Sequence, residues 1–406
     1  MQAVQQDGAA GGGLARGGQH REARRALQGR PAQVLGPQRP HRDGTVVADG
    51  EEQPFQRRQR SHPGAAAHRL PAGAGTAQPV EDVTGEETGS PFWLGRRDRL
   101  GFDPLTDVTD FASLRMFGRF DKAELRGVRA RDLLPRGFAG RPFRVVETGG
   151  TSGAPIRVVD VTRAVHDAGM YGVMLEARGL AMTPSGPHAY GHFVKLLGDS
   201  RGGAVFSVDF DPRWVKALLR DERSADGYVG HLIDQTRAVL DDERPALLFT
   251  TSRLLLSPAP ALPKPLAAYG VRAVCTGGTS CREEEARYLR EEYLQGVQWI
   301  DTYGNTLMGH ALQGDAAAPD RPHTYHLPPP LAAVHVVEPG DMWREVPLGA
   351  RGRVRVTTLL EDLFLPNLLE RDNAVRTGPH PWFPWEGLAG IGAYAEEGDT
   401  LTEGVY

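Results

Sequence analysis

Residues 145–155 read V-V-E-T-G-G-T-S-G-A-P, and this run constrains what the chain can fold into more than any other. Thr148, Thr151 and Ser152 are interleaved with Gly149, Gly150 and Gly153, behind the β-branched pair Val145 and Val146. Glycine opens the φ > 0 region and allows close approach to the backbone. Successive N–H groups in such a loop form a concave seat for an anion, and the hydroxyls add donors for phosphate oxygens. No Lys follows the last glycine, so this is not a P-loop, and the spacing is not G-x-G-x-x-G. Taken alone, the run also fits an ordinary glycine-rich hairpin turn.

A second pattern follows about 120 residues on. Residues 271–275 read as a buried strand, Ser280 and Glu283 fit an S-x-x-E capping box opening a helix, and residues 297–301 read as another strand. Strand–helix–strand implies parallel pairing with a right-handed crossover. Thr276-Gly277-Gly278-Thr279 and Asp301-Thr302-Tyr303-Gly304-Asn305-Thr306 are then expected just past strand C-termini, where open α/β sheets bind nucleotides.

Other elements follow from periodicity. Residues 162–177 predict a helix with Val165, Ala168, Gly169, Gly172 and Leu175 near one face. Residues 205–208 and 245–251 predict strands, and 212–220 and 227–241 helices. Residues 352–359 alternate as a strand should. Residues 188–193, H-A-Y-G-H-F, read as aromatic and glycine-broken; a metal site there is a weak reading of the two histidines.

The net charge of −4 argues against a nucleic-acid partner. No apolar run is long enough to span a membrane, and no signal-peptide core opens the chain. The only cysteines, Cys275 and Cys281, cannot build a disulfide framework, so a cytoplasmic location is expected. Residues 1–87 contain no Ile, Tyr, Trp, Cys or Lys. Such a stretch buries too little apolar surface to order itself, and it reads either as a disordered extension or as a start placed too far upstream. Residues 88–330 are expected to form an α/β core and 331–406 a β-rich subdomain.

The succession of residues 148–153, 276–279, 301–306, 352–359 and Glu370-Arg371-Asp372 resembles the adenylate-forming superfamily, in its phenylacetate–CoA ligase branch, over roughly residues 90–375. The resemblance implies a large adenylation domain of mixed sheets flanked by helices and a small β-rich subdomain, with ATP and Mg²⁺ as cofactors. It implies activation of a carboxylic acid as its acyl-adenylate, with release of pyrophosphate. Carried over, Thr148, Gly149, Gly150, Thr151, Ser152 and Gly153 hold the phosphates. Gly277, Gly278 and Thr279 border the adenine, Tyr303 stacks on it, Gly304 and Asn305 belong to the adenine and ribose site, and Asp372 accepts from the ribose hydroxyls. Arg371 is an alternative anchor. Thr306 and Thr151 serve the reacting phosphates, and His192 and Phe193 are pocket candidates. Tyr303 also fits a core-edge tyrosine, and Asp372 a surface turn residue.

Two departures matter. The family carries Glu after the Y-G-x-T run, where it meets Mg²⁺; here Leu307 and Met308 follow, so no metal ligand is assigned. The family continues into a lid domain bearing a lysine; this chain has lysines only at 122, 195, 216 and 264, so the lid and its lysine are expected to be absent, with Lys195 as a substitute or simply a surface residue. Y-G-N-T-L-M-G and the ending T-E-G-V-Y resemble the phenazine antibiotic biosynthesis type, which implies an aryl acid and a partner enzyme or carrier that accepts the acyl group. A coenzyme A ligase completed by another chain and a catalytically inactive nucleotide-binding relative stand as alternatives. A kinase is disfavoured by the missing loop lysine and the missing D-F-G.

Overall fold

The computed structural model describes residues 77–148, 155–186, 189–257, 262–279, 281–313, 323–328, 331–381 and 383–394. Helix Ala77–Thr84 already lies inside the segment expected to stay disordered. Val80 and Val83, three residues apart on one helix face, are both 1% exposed. An average over 87 residues hides this apolar pair. The next helix, Pro91–Arg97, starts where the sequence caps it: Ser90 Oγ accepts from Trp93 N, and Pro91 takes the first turn, where a missing N–H is harmless. Trp93 is buried against Phe117, Phe120 and Phe364, and its Nε1 donates to Phe364 O at 3.2 Å.

Strands β1 (Arg144–Glu147) and β2 (Arg157–Asp160) form a separate antiparallel hairpin. The other twelve make one mixed sheet. They are β3 (Ala181–Ser185), β4 (Val205–Asp209), β5 (Leu247–Thr250), β6 (Ala273–Thr276), β7 (Gln298–Asn305), β8 (Gly309–Gln313), β9 (Thr324–His326), β10 (Ala332–Glu338), β11 (Asp341–Glu345), β12 (Arg351–Leu360), β13 (Leu363–Thr377) and β14 (Gly387–Ala393). Their order is β11-β10-β12-β13-β14-β9-β8-β7-β6-β5-β3-β4. From β4 to β7 the pairing is parallel; from β7 to β11 it is antiparallel. This is the mixed α/β architecture expected, and one sheet crosses residue 330. Pro184 sits inside β3, where a proline cannot donate to a neighbour; accordingly β3 pairs with β5 only at Ala181 and Met182.

Several local expectations are corrected. Helix Arg163–Met174 buries Ala164, Asp167, Ala168 and Tyr171, while Val165 is 60% exposed. The inward face is thus turned from the one predicted, because Tyr171 and not the glycines fills the space beneath the helix. Gly191 does not break residues 188–193: it lies within helix Ala189–Arg201, and a Cβ there would stand 2.7 Å from Pro184 O. The glycine lets this helix press onto β3. Helix Glu283–Tyr288 has Arg282 at its N-cap, whose N–H donates to Glu285 at 2.8 Å; Ser280, the expected cap, lies outside the described residues. β12 is buried on both faces rather than one. Val354 and Val356 enter the core, while Arg353 and Arg355 on the other face stack on Tyr394 and Trp343.

Strand β13 bends in its first half. Its pairing with β12 shifts between Leu365 and Leu368, and Asn367 sits at φ 52°, a conformation Asn tolerates better than most residues. Asn367 Nδ2 donates to Leu114 O and Gly118 O. On either side of the bend, Phe364, Leu365 and Leu368 close the N-terminal core. Beyond it, the strand carries Glu370, Arg371 and Asp372.

Candidate functional site

Strand β7 changes partners midway. Residues 298–301 pair in parallel with β6, and 302–305 pair antiparallel with β8. Thr302-Tyr303-Gly304 was expected past a strand end; it lies inside a strand instead, because β8 continues the ladder after β6 stops. A buried polar cluster marks the changeover. Asp301 accepts from Thr276 Oγ1 and, at 2.6 Å, from Tyr325 OH. Trp299 Nε1 donates to Thr276 Oγ1 at 3.0 Å, and Thr302 Oγ1 to Thr276 O at 2.8 Å.

Burial pushes the Asp301 carboxyl up to about 6, against the pull of its hydroxyl donors. The neutral form therefore persists to higher pH in the fold than in the unfolded chain. The stability this adds is complete below the unfolded carboxyl range and is lost as pH rises through about 6. Replacing Asp301 with Asn removes that dependence. Between pH 4 and 7, urea unfolding should show the variant gaining about 2–3 kcal/mol relative to wild type; parallel stability curves would refute the assignment.

Gly277 follows β6 directly. A side chain there would overlap Thr302 Oγ1 and reach within 3.6 Å of the Tyr190 ring, so only glycine fits between β6 and β7. Gly278 has φ 79°, and Thr279 Oγ1 is buried with no hydrogen-bond partner.

Tyr303 OH donates to Asp372 Oδ2 at 2.6 Å, and Asn305 Nδ2 to Glu370 Oε1 at 3.0 Å. Side chains two apart on β7 thus meet side chains two apart on β13, as the period of a strand requires. Arg371, on the alternate face, is exposed. Three strands separate β13 from β7 in the sheet. A flat sheet would hold them about 19 Å apart, so these bonds exist only because the sheet curls its concave face around the site. Burial, with Glu370 adding to it, pushes Asp372 up to about 6, and burial holds the Tyr303 hydroxyl well above its ordinary range. Lys122 reaches Glu370 at 3.3 Å.

Thr306 begins the turn between β7 and β8, and its hydroxyl points to Glu147 O at 3.5 Å, at the root of the glycine-rich loop. Thr148 closes the hairpin: its N–H donates to Ile156 O and its Oγ1 accepts from Ile156 N, both at 2.9 Å. Gly149, Gly150, Thr151, Ser152 and Gly153 lie outside the described residues. Leu307 and Met308 are core residues, 3% and 2% exposed. Leu307 offers a metal no ligand, and among the described residues no group of three or more His, Cys, Asp or Glu side chains could hold one. Phe193 is fully buried, stacked on Tyr171 with centroids 4.9 Å apart, and so lies behind the Tyr190 ring that faces Gly277. His192 is half-buried, and burial holds it below its ordinary pKa against the pull of Asp160. Lys195 is exposed.

Sequence reasoning missed Arg163, Asp362 and the partnership of Glu370 with Asn305. Asp362, 1% exposed, accepts from Val161 N, Thr162 N and Thr162 Oγ1 and so fixes the approach to helix Arg163–Met174 from 200 residues away; the first-turn N–H of Ala164 goes to Asp160 Oδ1 at 3.1 Å. For Arg163 the signal was present: a cation in a helix's first turn works against the helix dipole.

No protein-family model and no curated protein matches the chain. Among solved structures it is similar to an open conformation of 2-hydroxyisobutyryl-CoA ligase in complex with 2-HIB-AMP and CoA, at 17% identity over 78% of this chain and 72% of that one, with a TM-score of 0.56. It is also similar to a benzoate CoA ligase from Burkholderia xenovorans, at 13% identity over 62% of this chain and 48% of that one, with a TM-score of 0.44; the match spans about half the length of that enzyme. The first likeness shows that the chain shares the mixed α/β fold of that ligase.

Proposed function

We propose that the chain joins a carboxylic acid to ATP as an acyl-adenylate. A substrate carboxylate oxygen attacks the α-phosphorus, the bond to the β-phosphate breaks, and pyrophosphate leaves. The carboxylate is already the nucleophile, so no general base is needed. The work is to hold two anions in line and to aim donors at the phosphates. Mg²⁺, for which no ligand is assigned among the described residues, would supply screening of the phosphate charge. Thr148 to Gly153 would cradle the β- and γ-phosphates, and the Thr306 hydroxyl would donate to the α-phosphate. Tyr303 would stack on the adenine, a contact worth about 1 kcal/mol. Asp372 would take the ribose diol.

One observation carries this reading. Tyr303 and Asp372, assigned to adenine and ribose from separate motifs, meet at 2.6 Å on the concave face, beside the strand whose turn presents Thr306. The proposed acid is aromatic: the Tyr190 ring lies against Gly277, with Phe193 packed behind it. We place the chain in the phenylacetate–CoA ligase branch, in natural-product assembly of the phenazine type, with coenzyme A, a carrier or a partner enzyme as acceptor. Use of ATP supports a cytoplasmic location. The buried Leu307 favours a second reading, nucleotide binding without turnover.

ATP–pyrophosphate exchange with Mg²⁺ and a panel of aryl carboxylic acids, phenazine carboxylates included, tests the proposal. Acid-dependent exchange should fall about 10- to 100-fold in Thr151→Ala. ATP binding without exchange would favour the second reading, and no ATP binding would mean the glycine-rich loop has another role.

A further inference from the structure

Arg163 is 5% exposed and is the first residue of helix Arg163–Met174. Neither position suits a cation: the helix N-terminus repels it, and burial strips it of water. Its partners explain it. Nη2 donates to Asn305 O at 3.0 Å, and Nη1 to Thr306 O. Nε faces Asp167 Oδ2 at 3.5 Å, and His310 Nδ1 stands 3.3 Å from the same oxygen. A planar guanidinium can hold two successive carbonyls in a way an ammonium cannot reproduce.

The rest of the turn is already tied. Asn305 Oδ1 accepts from Leu307 N at 2.8 Å and Met308 N at 3.1 Å. Leu307 O accepts from Thr358 Oγ1 at 2.7 Å. To these ties Arg163 adds its bonds to the carbonyls of Asn305 and Thr306. Asp167, one helical turn on, and His310, on β8, hold the arginine from behind. The clamp joins the helix that follows the β1–β2 hairpin to the turn bearing Thr306.

We propose that Arg163 is a positioning residue: by clamping the carbonyls of Asn305 and Thr306 it fixes the direction of the Thr306 hydroxyl, which points to Glu147 O. Its catalytic use rests on the adenylation reading; the clamp itself does not.

Two measurements on the full chain separate these. Hydrogen exchange over residues 305–308 should speed up about tenfold in Arg163→Gln, with the remainder of the sheet unchanged. In pyrophosphate exchange the same variant should lose about 10- to 100-fold in kcat, with KM for ATP within about threefold, because Tyr303 and Asp372 are untouched. Arg163→Lys keeps a charge beside Asp167 and serves if the glutamine variant fails to fold; it should show the same split at smaller amplitude. Unchanged hydrogen exchange in both variants would overturn the clamp. Faster hydrogen exchange with unchanged kcat, or a KM that rises as kcat falls, would overturn the positioning role. A wild-type chain that exchanges pyrophosphate with no acid would defeat the adenylation reading, while hydrogen exchange still decides the clamp.

Discussion

Replacing Asp372 with Ala is expected to weaken ATP binding about 10- to 100-fold, the loss of one or two hydrogen bonds to a charged acceptor. In the free protein this carboxyl is neutral at low pH and accepts from Tyr303. A ribose diol would have to replace that tyrosine hydroxyl, so Tyr303→Phe provides the control. It keeps the stacking ring, frees Asp372, and should leave affinity within about threefold. Because burial raises Asp372 to about 6, ATP affinity should also rise as pH increases from 5 to 7, and this rise should vanish in Asp372→Asn. Titration calorimetry reads all three. If Asp372→Ala binds ATP normally while Arg371→Ala does not, the ribose assignment moves to Arg371.

The larger effect on stability is expected at Asp362. Alanine there leaves the N–H groups of Val161 and Thr162 and the Thr162 hydroxyl without their acceptor, at a cost of about 3–5 kcal/mol in denaturant unfolding. Thr162→Val, which removes one of the three bonds, should cost about 1 kcal/mol. A loss below that in Asp362→Ala would mean water satisfies these groups and that this long-range contact contributes little.

How much of this was legible depended on distance along the chain. β5 and β6 are short apolar runs bounded by hydroxyls, and sequence alone located them within two residues. Tyr303 and Asp372 could be named separately, from separate motifs, yet nothing in the residues said they would touch, since the contact requires the sheet to curl through β8, β9 and β14. Thr302 to Gly304 were expected just past a strand that ends at Asp301; the antiparallel partner β8 draws them into the strand. Residues 352–359 read as an alternating strand, and only the Tyr394 and Trp343 rings reveal that its arginine face is covered. Asp362 carries no local mark of its role, because the N–H groups it serves are 200 residues earlier.

That separation sets a clock on biosynthesis. Val161 and Thr162 lack their Asp362 acceptor, and Trp93 and Phe117 lack Phe364, until β13 has been made. At ribosomal speeds the gap between Thr162 and Asp362 is about 10–40 s. Throughout it the aromatic cluster stays open to water, so the nascent chain has to be shielded from aggregation before any phosphate site can exist.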